Sequence, residues 1–233
     1  MIGVGEKSPP RSIQRGLGDI KMYKSKLLKY PDYDLTWFWD SVKKFNGIAN
    51  PDGVKEVKQL PIIKSELQEI LDSKSETEFM DGIIDGLVTL APLVPEKEFL
   101  YYWDGCYDQG YKFTELEEEL NTYLNTKDED FHNYEFYSDH AAMVHTLLSV
   151  LVCDECHYEN NCESVLASNM SKFIPIDLYH ESHYAEVVAA YPQHTVTKVI
   201  REYEGEEFVV FFNENGKILK GHSYYFDPVL VCE

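Results

Sequence analysis

The chain has 233 residues, 41 of them acidic and 21 basic, for a formal charge of −20 with histidine neutral. Hydrophobic residues make up 44% and aromatic residues 14%, with 17 Tyr and 12 Phe, which excludes a disordered or fibrous chain. A chain of this length buries most of its unfolded surface without disulfides or metal, and so many carboxylates repel a phosphate backbone, so direct nucleic-acid binding is not expected.

In chain order, residues 1–16 are rich in Gly, Pro and Ser and carry Lys7, Arg11 and Arg15. They read as a basic flexible arm, able to wrap a neighbouring copy and make a homo-oligomer. Residues 17–194 read as a mainly helical acidic body. A first helix over 19–29 stops before Pro31. A second has Asp34 as N-cap, buries Leu35, Phe38, Val42 and Phe45, and ends at Asn46-Gly47. Residues 49–58 read as a loop and 63–71 as a short helix. Ser75-Glu76-Thr77-Glu78 has capping-box spacing. It opens an apolar stripe of Phe79, Met80, Ile83, Ile84, Leu87 and Val88 that Pro92 and Pro95 end. Thr114 to Glu117 opens a helix to about Leu124, and Ser138 caps another to about Val152. Shorter helices are expected over 163–170 and 182–190. From Thr195 the pattern turns β-branched and aromatic. Runs at 195–203, 207–212 and 217–226, split by Gly205 and by Asn213–Gly216, predict a three-stranded antiparallel meander over 195–233, packed on the body. The fold class is therefore α+β: helices through the N-terminal two-thirds, then a small C-terminal sheet.

Charge is divided unevenly along this order. Residues 1–64 hold 12 basic and 7 acidic side chains, residues 65–197 hold 5 and 27, and residues 198–233 hold 4 and 7. A basic arm thus precedes a body of net −22. Within the body, residues 104–139 carry 11 acids and two lysines among many aromatics. Glu115, Glu118 and Glu119 share a helix face at i, i+3, i+4, Glu117 lies beside them, and Asp128-Glu129-Asp130 extends the charge. Trp103, Tyr107 and Tyr111 are the aromatic types that anchor protein interfaces. The alternative for each helix is a solvated acidic face above an aromatic core.

Cysteine supplies the other constellation. Cys153 and Cys156 form C-x-x-C, His157 follows at once, and Cys162 lies six residues beyond Cys156. Three thiolates and a fourth ligand from His157, Cys106 or a distant histidine could hold one structural zinc, although the second C-x-x-C of a zinc ribbon is missing; the alternative is buried or incidental free thiols. The zinc-deaminase order fails, because His157-Tyr158-Glu159 follows the cysteines instead of preceding them. H-E-x-x-H, G-x-S-x-G and P-loop patterns do not occur.

These features predict a non-enzymatic acidic interaction or inhibitor protein. Glu115, Glu117, Glu118, Glu119, Asp128, Glu129 and Asp130 would occupy a basic surface of another protein, with Trp103, Tyr107 and Tyr111 as anchors. A basic cleft of that kind belongs to a nucleic-acid-handling, defence or toxin enzyme, and the reading is then of counter-defence or immunity type. The alternative is a zinc protein, with structural zinc on Cys153, Cys156, His157 and Cys162 or, in a sharper form, a zinc-dependent hydrolase. The first residues lack a secretory apolar run, and the longest apolar stretch, near 147–153, is too short to span a bilayer. The expected location is the cytoplasm, with no membrane partner.

Overall fold

A computed structural model describes residues 36–99, 113–131, 133–134, 137–151 and 158–231. The arm, the helix expected over 19–29, the Asp34 cap, the three aromatic anchors, and Cys106, Cys153, Cys156 and His157 lie outside the described residues.

The helical body begins with α1 (Thr36–Ala49), α2 (Glu56–Asp72) and α3 (Glu76–Leu90). Helix α1 runs through Asn46-Gly47, where the sequence suggests a stop. Gly47 serves a tertiary contact instead: a Cβ there would lie 2.3 Å from Cε2 of Tyr203, so the tyrosine ring lies against bare backbone. Helix α2 is longer than the expected 63–71 and carries Pro61 in its second turn. The hydrogen bond that Pro61 removes is the one to the Val57 carbonyl, and both residues are exposed, so water can satisfy that group.

Ser75 caps α3 as expected, accepting from the Glu78 N–H at 3.1 Å. The reciprocal half of the box shifts by one residue, with Glu78 accepting from the Lys74 N–H at 2.6 Å. Helix α3 is the centre of the body. Its predicted stripe is buried, and it packs on α2, on α5 (Asp139–Leu151) and on α6 (Tyr158–Met170). Prolines end it where expected, in a 3-10 turn at Ala91–Leu93. Phe99, fully buried beyond that turn, stacks on Phe38 and leans on Trp39. Burying each such side chain stabilises the fold by roughly 1.5–3 kcal/mol.

Helix α4 (Phe113–Asn125) lies against α2 and α5, burying Leu116, Leu120 and Tyr123 at i, i+4, i+7. A 3-10 turn at Asp128–Asp130 and a two-residue ladder, β1 (Asn133–Tyr134) with β2 (Tyr137–Ser138), lead into α5. Ser138 caps α5 through the Ala141 N–H at 3.1 Å, as its sequence suggests. Helix α6 starts a turn earlier than the expected 163, so Cys162 falls inside it and is buried in the main core.

The small antiparallel sheet at the C-terminal end has the order β3–β5–β4. Its strands are β3 (Ile174–Pro175), β4 (Thr197–Tyr203) and β5 (Glu206–Phe212). Between β3 and β4 runs α7 (Glu181–Ala190). The fold class is as read, but the strand that completes the sheet is Ile174–Pro175 and not the 217–226 run. That run makes one bridge, Ile218 to Phe212, and then leaves the sheet. The chain from Phe226 onward is taken up elsewhere: Ser168 Oγ donates to the Phe226 carbonyl, and Ser164 accepts from the Val229 N–H. Asn161 both gives to and receives from Val231. A polar ridge on α6 therefore straps down an extended segment through its main chain.

Strand β5 is buried on both faces. Phe208 and Val210 pack with Ile48 of α1 and Phe173, while Val209 and Phe211 pack with Val187 of α7 and Leu219. No helix among the described residues is long and apolar enough to cross a membrane.

Candidate functional site

The candidate site is built on α4 and the turn that follows it. With Leu116, Leu120 and Tyr123 inward, the helical period places Glu115, Glu117, Glu118, Asn121, Thr122 and Asn125 outward, and all six are exposed. Asp128, Glu129 and Asp130 are exposed beyond the helix C-terminus. That end of a helix carries partial negative charge, so the helix dipole adds to the carboxylates instead of opposing them.

The neutral side chains of this face bond back onto their own helix. Asn121 and Asn125 donate their amide N–H groups to the carbonyls of Glu117 and Asn121, each at 2.7 Å. Thr122 and Thr126 donate to the carbonyls of Glu118 and Thr122. Each threonine thus spends its one hydroxyl donor on its own helix, while each asparagine spends one of its two amide N–H donors and keeps its oxygen and second N–H for a partner. Glu118, Asn121, Thr122, Asn125 and Thr126 line an open depression of about 550 Å³.

The expected contacts behave in three different ways. Among the described residues no cation pairs with Glu117, Glu118, Glu129 or Asp130. Asp128 is held by Lys64 at 2.8 Å, and the same ammonium bonds the Thr126 carbonyl and lies over the Phe131 ring. Glu119 is withdrawn from the face, because its carboxylate accepts a hydrogen bond from Thr146 of α5. The i, i+3, i+4 carboxylate face is accordingly reduced to Glu115 and Glu118, with Glu117 beside them.

What seats α4 is a hydrogen-bonded chain the sequence does not reveal. The Tyr123 hydroxyl meets His140 Nδ1 at 2.7 Å, and His140 Nε2 meets Glu56 Oε1 at 3.1 Å. Three helices, α4, α5 and α2, are joined by it. Burial, followed by the carboxylates of Asp139, Glu56 and Asp128, pushes the Tyr123 pKa up, which opposes a tyrosinate nucleophile. The chain positions the acidic helix on the two helices beneath it. Its members stand 17 and 84 residues apart, so no local spacing could have found them.

A second carboxylate group lies where α2, α3 and α6 meet. Asp85 accepts from Asn169 at 2.6 Å, and Asp81 and Glu66 are close enough to feel its charge. Burial first, then Asp85, raises Glu66 to about 7 and Asp81 to about 6. Among the described residues no three His, Cys, Asp or Glu side chains come together as a metal site. Of the cysteines and His157 expected to bind zinc, only Cys162 is described, and it packs beside Val165 and Leu166 in the core.

Comparison with protein-family models, with curated proteins and with solved structures finds no match.

Proposed function

We propose that the chain is a non-enzymatic acidic interaction protein that sets α4 and the Asp128–Asp130 turn against a basic surface of another protein and blocks it. The observation that carries this reading is the run of exposed carboxylates that no cation neutralises among the described residues. Glu117, Glu118, Glu129 and Asp130 stand exposed without a cation among the described residues, and the intervening Thr122 and Thr126 hydroxyls are turned back onto α4. A basic cleft that normally holds phosphates presents Lys and Arg donors, which such a surface satisfies. Nucleic acid itself is repelled by the same charge. The partner class is therefore a nucleic-acid-handling enzyme, of the kind that a counter-defence or immunity protein restrains, and the site of action is cytoplasmic.

The test is binding and inhibition of a panel of purified basic nucleases and polymerases by the full chain at low and high salt. A combined Glu117→Gln, Glu118→Gln, Glu129→Gln, Asp130→Asn variant serves as the control. The reading expects inhibition that weakens with salt and is lost in the variant while its circular dichroism is unchanged. Inhibition that is insensitive to both salt and neutralisation would overturn it.

A further inference from the structure

Strand β4 closes one side of its sheet, and among the described residues no strand lies beyond it. The direction of its free backbone groups follows from the hairpin. Glu204 and Gly205 form a two-residue loop, both with positive φ, and the residues flanking such a loop, Tyr203 and Glu206, are a hydrogen-bonded pair. Alternation along the ladder then turns the N–H and C=O groups of Tyr203, Arg201, Val199 and Thr197 toward β5. Those of Glu202, Ile200 and Lys198 point outward. The side chains of these same three residues are exposed, Ile200 by 55%. A row of outward groups on a seven-residue strand is a template for another strand.

The residues around Ile200 are self-complementary. About a two-fold axis through Ile200, an antiparallel second copy places the partner's Glu202 opposite Lys198, the partner's Lys198 opposite Glu202, and the partner's Ile200 opposite Ile200. In this register the outward N–H and C=O groups of each pair also meet. Sliding the axis to Val199 or Arg201 keeps the backbone bonds, but it sets Lys198 or Glu202 against isoleucine and loses both charge pairs. Lys198 is already positioned on this face by Glu181 at 2.7 Å and the Tyr179 hydroxyl at 3.0 Å, and its ammonium keeps a third donor.

We infer that two copies of the chain pair through β4, antiparallel and centred on Ile200, so that one sheet continues across the dimer. The surface is separate from α4, and the inference does not rest on the acidic-surface reading.

Sedimentation equilibrium of the full chain over a range of concentrations tests it. The expected result is a monomer–dimer equilibrium that Ile200→Pro abolishes. The Ile200 N–H faces outward, so proline there removes a bond across the dimer and none to β5. Glu202→Lys turns both charge pairs into like-charge pairs and raises the dissociation constant by roughly tenfold. Mixing Glu202→Lys chains with Lys198→Glu chains makes every pair opposite again and yields a heterodimer, which decides the matter even if Ile200→Pro disturbs folding. A chain that stays monomeric throughout would overturn the inference, as would a dimer indifferent to Ile200→Pro and Glu202→Lys.

Discussion

Two titrating groups drawn out of water give the stability of this protein opposite slopes with pH. Glu66 is raised from its ordinary 4.5 to about 7 by burial and by Asp85 and Glu69, with Lys217 and Lys172 partly offsetting them. The folded state therefore keeps this proton longer than the unfolded state, and stability falls as pH rises from about 4.5 to 7. Glu66→Gln is expected to stabilise the protein by about 1–2 kcal/mol at about pH 8, the full shift being discounted for partial exposure, with little gain below about pH 5. Thermal unfolding at the two pH values checks it. His222 behaves in the reverse sense. It is 4% exposed, and burial followed by His183 lowers its pKa to about 4, with the Lys172 backbone and Glu186 acting against the shift. Its contribution is complete above about 6.5 and is lost as pH falls toward 4, because the unfolded state then takes the proton first. His222→Phe is expected to flatten the acid limb of the unfolding curve and leave the alkaline limb in place.

At the scale of elements, the contact between α1 and the hairpin depends on Gly47. Gly47→Ala forces a methyl group into the Tyr203 ring and is expected to cost about 1–3 kcal/mol. In a Tyr203→Leu background the penalty shrinks, and a double-mutant cycle followed by chemical denaturation measures the coupling. The same glycine explains where sequence reasoning succeeds and fails. Ser75 and Ser138 were legible as caps because a cap bonds to a backbone N–H three residues away. The α3 stripe was legible because its period is local. Gly47 has the local signature of a stop, but its purpose lies 156 residues away, at Tyr203. Ile174–Pro175 is too short to announce a strand, and it pairs only because β5 offers an edge. The 217–226 run has strand composition, but Asn161, Ser164 and Ser168 compete for the backbone beyond it. In the acidic site, the exposed carboxylates of α4 followed from helical period alone. The loss of Glu119 to Thr146 and of Asp128 to Lys64 did not, since both partners come from other helices.

At the scale of the whole molecule, the charge of −20 sets two salt responses against each other. Carboxylates crowded on one chain repel, so screening favours the compact state. The melting temperature is expected to rise as salt is added at neutral pH, as differential scanning calorimetry would record. Binding to a basic partner is expected to weaken over the same range, because the same screening removes the attraction that steers the two together. A protein whose stability and affinity move in opposite directions with salt separates the two roles of its charge in one titration.

The buried chain from Tyr123 through His140 to Glu56 also provides a spectroscopic handle. A proton held between a phenol and an imidazole, away from water, exchanges slowly and gives a resonance far downfield of the amides. It sits beneath the outward carboxylates without touching them. A partner that docks on an unmoved α4 leaves that resonance sharp, whereas one that levers the helix from its seat lets water in and erases it. The molecule thus carries its own indicator of whether recognition is rigid or remodelling.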